Sequence, residues 1–246
     1  MTPVGLEELQ QMAGLLTRMD RKYVVPAERV DGLLASIGPY ARVLEISGLR
    51  SFGYRSVYFD TRELASYLGA ARRRRRRFKV RTRTYLDSGG CWLEVKTRGA
   101  RGATVKDRLP YSSEYQQHVE PGRWFVDQVL GSAGIESPED FRFEPALVSQ
   151  YRRTTFLLPD SASRVTVDTE LSWVDGAGQR LLMPGLVVVE TKTGSTPSYV
   201  DRLLWSRGHR PTRISKYATA LAAMHPDLPA TPWRRTLTRC FAPTGL

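Results

Sequence analysis

Residues 77–85 read Arg-Phe-Lys-Val-Arg-Thr-Arg-Thr-Tyr. The odd positions Arg77, Lys79, Arg81 and Arg83 are cationic, while the even positions Phe78, Val80, Thr82 and Thr84 are apolar or small. Successive side chains of a strand point to opposite faces, so the stretch reads as a strand with one cationic face and one face suited to a core. The pattern recurs. Trp92, Glu94, Lys96 and Arg98 alternate with Cys91, Leu93, Val95 and Thr97. Arg164, Thr166, Asp168 and Glu170 alternate with Val165, Val167 and Thr169, and Val188, Glu190 and Lys192 alternate with Val187, Val189 and Thr191. The plain outcome of such alternation is an antiparallel sheet with its polar face in water. A merely solvated face would mix Lys and Glu with Ser, Thr and Gln, and would not favour Arg at successive alternating sites. A barrel that is polar inside and apolar outside, under a coat of helices, accommodates both faces. Its lumen would carry many Lys and Arg and a few carboxylates. Guanidinium groups fork onto phosphate oxygens, and carboxylates among them suit a divalent cation such as Mg²⁺ or Mn²⁺ shared with phosphate. The expectation is a phosphate-chain site with a divalent cation.

The elements around these strands predict an α+β chain. Helices are expected over 6–19 (stripe Leu9, Met12, Ala13, Leu16, Met19), over 27–37 after Pro26, and over 63–68, 112–119, 124–130, 199–207 and 215–223. Strands are expected over 20–25, 54–60, 76–85, 91–98, 103–109, 147–158, 164–173 and 186–193, with turns at 87–90 and 99–102. The reading is one domain over 1–225 and a loosely ordered tail over 226–246, where prolines occur without periodicity.

Composition narrows the function. The 246 residues hold 37 Lys+Arg and 25 Asp+Glu, a net charge of +12 with 41% hydrophobic residues, so the chain is globular and basic. No run of about 18 apolar residues suits a membrane helix. The start lacks the basic and apolar regions of a signal peptide, and a cytoplasmic location is expected. Cys91 and Cys240 lack CxxC spacing and His118, His209 and His225 form no ligand motif, which argues against a zinc site and against His-based catalysis. The six arginines 72–77 read as a solvated loop, a mouth for a polyanion, or a weak nucleic-acid contact.

The segments Met19-Asp20-Arg21-Lys22-Tyr23, Tyr58-Phe59-Asp60-Thr61, Arg81-Thr82-Arg83-Thr84-Tyr85, Leu93-Glu94-Val95-Lys96, Lys106-Asp107-Arg108, Tyr151-Arg152-Arg153-Thr154, Arg164-Val165-Thr166-Val167-Asp168-Thr169, Val189-Glu190-Thr191-Lys192 and Ser215-Lys216-Tyr217 follow in that order. Together, from Arg18 to Leu221, they resemble the VTC domain, named after the vacuolar transporter chaperone complex. That domain is one of the CYTH-like triphosphate tunnel metalloenzymes. The resemblance implies an eight-stranded antiparallel tunnel barrel and a metal-dependent polyphosphate polymerase that moves the γ-phosphate of ATP onto a growing chain. It implies Lys22, Arg81, Arg83, Lys96, Lys106, Arg153, Arg164 and Lys216 as phosphate ligands, with Lys22, Arg81, Arg83, Arg153, Arg164 and Glu190 serving catalysis. Glu190 would be the principal ligand of Mn²⁺ or Mg²⁺, with Glu94 the second candidate. Arg153 is preferred to Arg152 because Tyr-x-Arg is the family spacing. Asp20 stands where related tunnel enzymes often carry the first Glu of an ExExK signature. The implied partners are ATP and polyphosphate or triphosphate, with room for a membrane partner protein and no specific nucleic acid.

Other readings stand beside this one. A tunnel triphosphatase would use the same residues with water as acceptor. A polyphosphate-binding module would not turn over. A nucleic-acid binder would need a recognisable module, and none appears. Glu190 could instead be buried in an ion pair with Lys192 or an arginine, and Asp168 and Glu170 could each pair with a neighbouring arginine.

Overall fold

The computed structural model describes residues 1–14, 19–99, 104–136 and 141–241. In chain order the elements are β1 (Pro3–Val4), α1 (Leu6–Ala13), β2 (Met19–Pro26), α2 (Val30–Ile37), β3 (Arg42–Leu44), β4 (Ser51–Asp60), α3 (Ala65–Ala71), β5 (Phe78–Tyr85), β6 (Cys91–Arg98), β7 (Thr104–Tyr111), α4 (Arg123–Ser132), β8 (Glu144–Leu158), β9 (Ser163–Asp175), β10 (Arg180–Leu182), β11 (Leu186–Thr193), α5 (Tyr199–Ser206), α6 (Ala218–Met224) and α7 (Arg234–Cys240). They group into two compact units built from discontinuous segments: Met1–Phe52, Tyr151–Leu171 and Met183–Arg213 form one, and Gly53–Gln150, Ser172–Leu182 and Ile214–Leu246 the other.

In the first unit the strand order is β2-β11-β9-β8, and the β2–β11 and β11–β9 pairs are antiparallel. One face is apolar. Tyr23, Val25, Val165, Val167, Val187 and Val189 pack under Val30, Leu33 and Ile37 of α2 and Val200 and Leu204 of α5. Burying this much branched aliphatic surface fixes which side of each strand turns inward, because a one-residue slip would put every valine on the wrong face.

In the second unit β4, β5, β6 and β7 form successive antiparallel pairs. Val57, Phe59, Phe78, Val80, Leu93 and Val95 bury one face beneath Val126 and Leu130 of α4. Among the described residues the sheet does not close on itself. The architecture is antiparallel sheet with helices laid on the apolar faces, in agreement with the α+β reading.

Several boundaries differ from the sequence expectations. The first helix stops at Ala13 and Met19 opens β2; Leu16 lies outside the described residues. Gly14 follows the helix, and a Cβ there would stand 2.5 Å from the Gln10 carbonyl oxygen. The expected helix over 112–119 is absent, replaced by single 3₁₀ turns at Ser113–Tyr115 and Glu120–Gly122. Pro121 lacks an amide hydrogen, and Gly122 lies so close to the sheet that a Cβ would meet Leu93 at 2.4 Å. The tail is not loose as far as Cys240: α7 forms there, with Trp233 buried and its ring 5.8 Å from that of Tyr67. Scattered anchors hold this segment, among them Trp233, buried Thr236 and Phe241, whose ring lies 5.9 Å from that of Trp173, so no apolar period announces it. The strands β1, β3 and β10 are too short to show a period.

Candidate functional site

The apolar face of each unit leaves the opposite face to the charged residues. In the second unit the register aligns them in rungs: Ser56–Arg83–Trp92, then Tyr58–Arg81–Glu94–Arg108, then Lys79–Lys96–Lys106. Glu94 is the centre. It is 1% exposed. Its Oε2 accepts from Arg81 Nε at 2.8 Å and from Arg81 Nη2 at 2.6 Å, and its Oε1 accepts from Lys106 Nζ at 3.1 Å. Arg83 Nε stands 4.0 Å from the same carboxylate. Burial works to raise the Glu94 pKa, but Arg81, Arg83 and Lys106 together hold it well below the usual carboxylate range.

Tyr58 was not among the expected site residues. Arg81 Nη1 donates to its hydroxyl at 3.1 Å. Burial opposes ionisation of this phenol, yet the charges of Arg81, Lys79, Arg83 and Lys216 prevail and lower its pKa to about 8. Tyr217 stacks on it at 5.2 Å. The Tyr217 hydroxyl donates in turn to Asp60, whose carboxylate also accepts the Ser66 and Tyr67 amides at the start of α3. Lys79 lies 6.0 Å from the Tyr58 ring centroid and donates to Ser215 Oγ at 3.0 Å. Thus Asp60 positions the aromatic pair, and the pair positions the cations. Two polar atoms on the Ser56–Arg83 rung, Ser56 Oγ and Arg83 Nε, are buried with no hydrogen-bond partner among the described residues. Buried donors are rarely left so, and two adjacent ones suit an incoming anion. Lys216 contributes its charge to Tyr58, while its carbonyl accepts from Trp173 Nε1 at 2.7 Å.

In the first unit the rungs are Lys22–Glu190–Thr166 and Asp20–Lys192–Arg164. Glu190 is 9% exposed. Lys192 Nζ donates to its Oε1, and Arg153 Nη2 lies 3.9 Å from its Oε2. Burial alone would raise the Glu190 pKa; Lys192, Lys22 and Arg153 drive it well below the usual range. Arg153 forks onto Asp168, with Nε to Oδ1 at 2.6 Å and Nη2 to Oδ2 at 2.8 Å. Asp168 is therefore a structural partner of Arg153. Glu170 instead is exposed, with a left-handed φ of 53° that interrupts the strand alternation. Arg164 Nη2 donates to the Leu9 carbonyl of α1 at 3.4 Å.

The sheet behind this cluster is pinned by Asp201 of α5. Its carboxylate accepts from the Tyr23 hydroxyl at 2.7 Å, the Thr191 hydroxyl at 2.6 Å and the Ser198 amide at 2.7 Å, and the Asp201 amide donates back to Ser198 Oγ at 3.2 Å, a capping box. Tyr23 and Thr191 are the chain neighbours of Lys22, Glu190 and Lys192. Fixing them on the buried face fixes the charged side chains on the other.

The sequence-expected residues thus fall into two clusters: Arg81, Arg83, Glu94, Lys96, Lys106 and Lys216 in the second unit; Lys22, Arg153, Arg164 and Glu190 in the first. Tyr58, Lys79, Ser56 and Lys192 join them. Lys79 was visible in the alternation of residues 77–83, whereas Tyr58 and Ser56 become neighbours of Arg81 and Arg83 only through the β4–β5 register.

Among the described residues no group of three or more His, Cys, Asp or Glu converges as a metal cage. Both oxygens of Glu94 are engaged by cations. Glu190 is engaged as well: Lys192 donates to its Oε1 and Arg153 stands 3.9 Å from its Oε2, the ion-pair arrangement that the sequence left open as an alternative.

A curated relative, vacuolar transporter chaperone complex subunit 4 of Schizosaccharomyces pombe, is 27% identical over 188 residues. The match takes in 64% of this chain and 26% of the relative, so the chain spans about a quarter of that protein's length. Two solved structures share the fold. A putative adenylyl cyclase from Hippeastrum, described as having a dominant triphosphatase activity, superposes with a TM-score of 0.52 at 16% identity, over 82% of this chain and 94% of that one. A putative adenylate cyclase from Bacillus halodurans gives 0.53 at 12% identity, over 81% and 94%. The model of the VTC domain matches residues 17–225, a span that takes in both charged clusters from Lys22 to Lys216, and the chain belongs to the VTC domain family.

Proposed function

We propose that the chain is a metal-dependent polyphosphate polymerase that transfers the γ-phosphate of ATP to a growing polyphosphate chain. The observation that carries this reading is the pair of cation-rich sheet faces, each built around one buried, ionised glutamate. The eight-stranded tunnel barrel, a cytoplasmic location and a partner protein that takes the product belong to the same proposal. The relative's membership of a complex supports the last of these.

Phosphoryl transfer asks the protein mainly to position and to neutralise charge. Arg81, Arg83, Lys96 and Lys106 would hold phosphate oxygens on one face. Lys22, Arg153 and Arg164 would do so on the other. The terminal oxygen of the chain attacks the γ-phosphorus in line, the bond to the β–γ bridging oxygen breaks, and ADP leaves with that oxygen. The acceptor is already an anion, so no general base is required. Glu190 would hold Mn²⁺ or Mg²⁺, which when bound neutralises charge on the phosphate oxygens. Glu94 is assigned here as a counter-ion that keeps Arg81 and Lys106 in place. Hydrolysis by the same residues is the second reading, supported by the triphosphatase activity described for the Hippeastrum structure.

The test is incubation of the protein with ATP and Mn²⁺, with products resolved on a gel stained for polyphosphate. Long chains are expected, and Glu190→Gln should abolish them while leaving the circular dichroism spectrum unchanged. Phosphate without chains would make the protein a hydrolase, and neither product would make it a binding module.

A further inference from the structure

We propose that the turn arginines 72–75, with Arg77 and Arg98, form an outer site for a phosphate chain longer than a triphosphate. The proposal rests on the polyphosphate reading and extends it to residues outside both charged clusters.

Arg72, Arg73, Arg74, Arg75 and Arg76 are all exposed and lead directly into β5. Arg77 is half-buried, and its Nη1 donates to the Arg74 carbonyl at 3.0 Å, tying the turn to the strand. The β5–β6 register runs out at Phe78 opposite Thr97; continued by one residue, it sets Arg77 against Arg98. By alternation both lie on the face of Lys79, Lys96 and Arg81. Like charges directly opposite one another destabilise a sheet. Burial first, and the neighbouring Arg98 second, lower the Arg77 pKa. The Lys79–Lys96–Lys106 rung repeats the arrangement one step further in.

Exposure grows along this line. Arg81 is buried, Lys79 and Lys96 are half-buried, and Arg98 and the turn are open. A strand rises about 3.4 Å per residue, so Arg83 to Arg77 covers roughly 20 Å. That is longer than a triphosphate, and the turn lies beyond it. A linear polyanion gripped near Arg81 would reach solvent over these arginines.

A nucleic-acid strand would seek aromatic platforms along such a groove. The rings on this face are already covered. Arg108 lies 4.6 Å from the Trp92 ring centroid, Arg83 lies 5.6 Å from that of Tyr54, and Tyr217 stacks on Tyr58. A chain of bare phosphates is the ligand this face suits.

The experiment titrates tripolyphosphate and a polyphosphate of about 25 residues against the wild type. The variants are the quadruple Arg72→Ser, Arg74→Ser, Arg75→Ser, Arg98→Ser and the same four positions changed to Lys. The long chain should bind the Ser variant about tenfold or more weakly, given the summed strength of four exposed ion pairs. Tripolyphosphate affinity should stay within about twofold. The dependence of long-chain binding on salt should lose about 3 from its log–log slope, at the ~0.7 per contact of single strands. The Lys variant should retain long-chain binding. An unchanged long-chain affinity in the Ser variant, or an equal loss for tripolyphosphate, would overturn the proposal. So would an oligodeoxyadenylate of equal charge that binds the wild type as tightly and suffers the same loss. Wild-type protein that binds neither phosphate compound would instead defeat the polyphosphate reading itself, whatever the variants do.

Discussion

Replacing Glu94 by Gln removes the one negative charge among Arg81, Arg83 and Lys106. Glu94 and Arg81 are 1% and 7% exposed and share two charge-assisted hydrogen bonds. Removing one partner of a buried pair costs about 3–5 kcal/mol, because the other charge stays buried. Gln keeps one acceptor oxygen, so the lower end, about 3 kcal/mol, is expected. A phosphate chain can then take the vacated role. The cluster without its carboxylate repels an anion less, so tripolyphosphate should stabilise the variant more than the wild type. A ligand at a hundred times its Kd contributes about 2.7 kcal/mol. The gap between the two proteins should therefore narrow markedly under saturation. The assay is urea unfolding near pH 7, with and without tripolyphosphate. A loss below about 1 kcal/mol, or a gap that tripolyphosphate leaves unchanged, would refute the counter-ion assignment. Acid should mimic the mutation in part. The folded pKa of Glu94 is depressed, so its contribution is present above the unfolded carboxylate value and lost as pH falls below it.

Two further outcomes are expected. The Tyr58 phenol, with its pKa lowered to about 8, gains a negative charge beside Arg81 as pH rises, so tripolyphosphate affinity should fall across about pH 8, and Tyr58→Phe should flatten that profile in a calorimetric titration. The sign for stability is opposite: a depressed folded pKa adds stability that is complete above the unfolded phenol value near 10 and lost as pH falls through about 8. Arg83→Ala removes a guanidinium whose Nε is buried without a hydrogen-bond partner among the described residues; at about 1.5–3 kcal/mol per charge-assisted bond, tripolyphosphate should bind roughly ten- to a hundredfold more weakly, and an unchanged Kd would take Arg83 out of the site.

Alternation within Arg77–Tyr85 and its counterparts was enough to assign the two faces of each strand. The period of two is a local property: it follows from backbone geometry, and a buried valine face admits one register. That is why Arg81, Arg83, Glu94, Lys96 and Glu190 could be picked out before any contact was known, whereas Lys22 came from the family resemblance alone. Partnership is not local. Arg153 approaches Glu190 and forks onto Asp168, and Tyr58 enters the Arg81–Glu94 rung, because hydrogen-bond register joins strands far apart in the chain; the Lys192–Glu190 pair is the local exception, two residues apart on one strand and already open to the sequence as an alternative. The helix boundaries failed for a related reason. Gly14 and Gly122 stand where the space beside the backbone, not the apolar period, sets the conformation. The α7 segment is held by Trp233, Thr236 and Phe241, side chains whose spacing makes no apolar pattern. The sequence by itself determined the faces, the charge and the family resemblance, since these depend on side-chain order alone. Only the tertiary structure decided which charges neutralise one another, since Coulomb energy depends on separation and burial, and the chain order encodes neither directly.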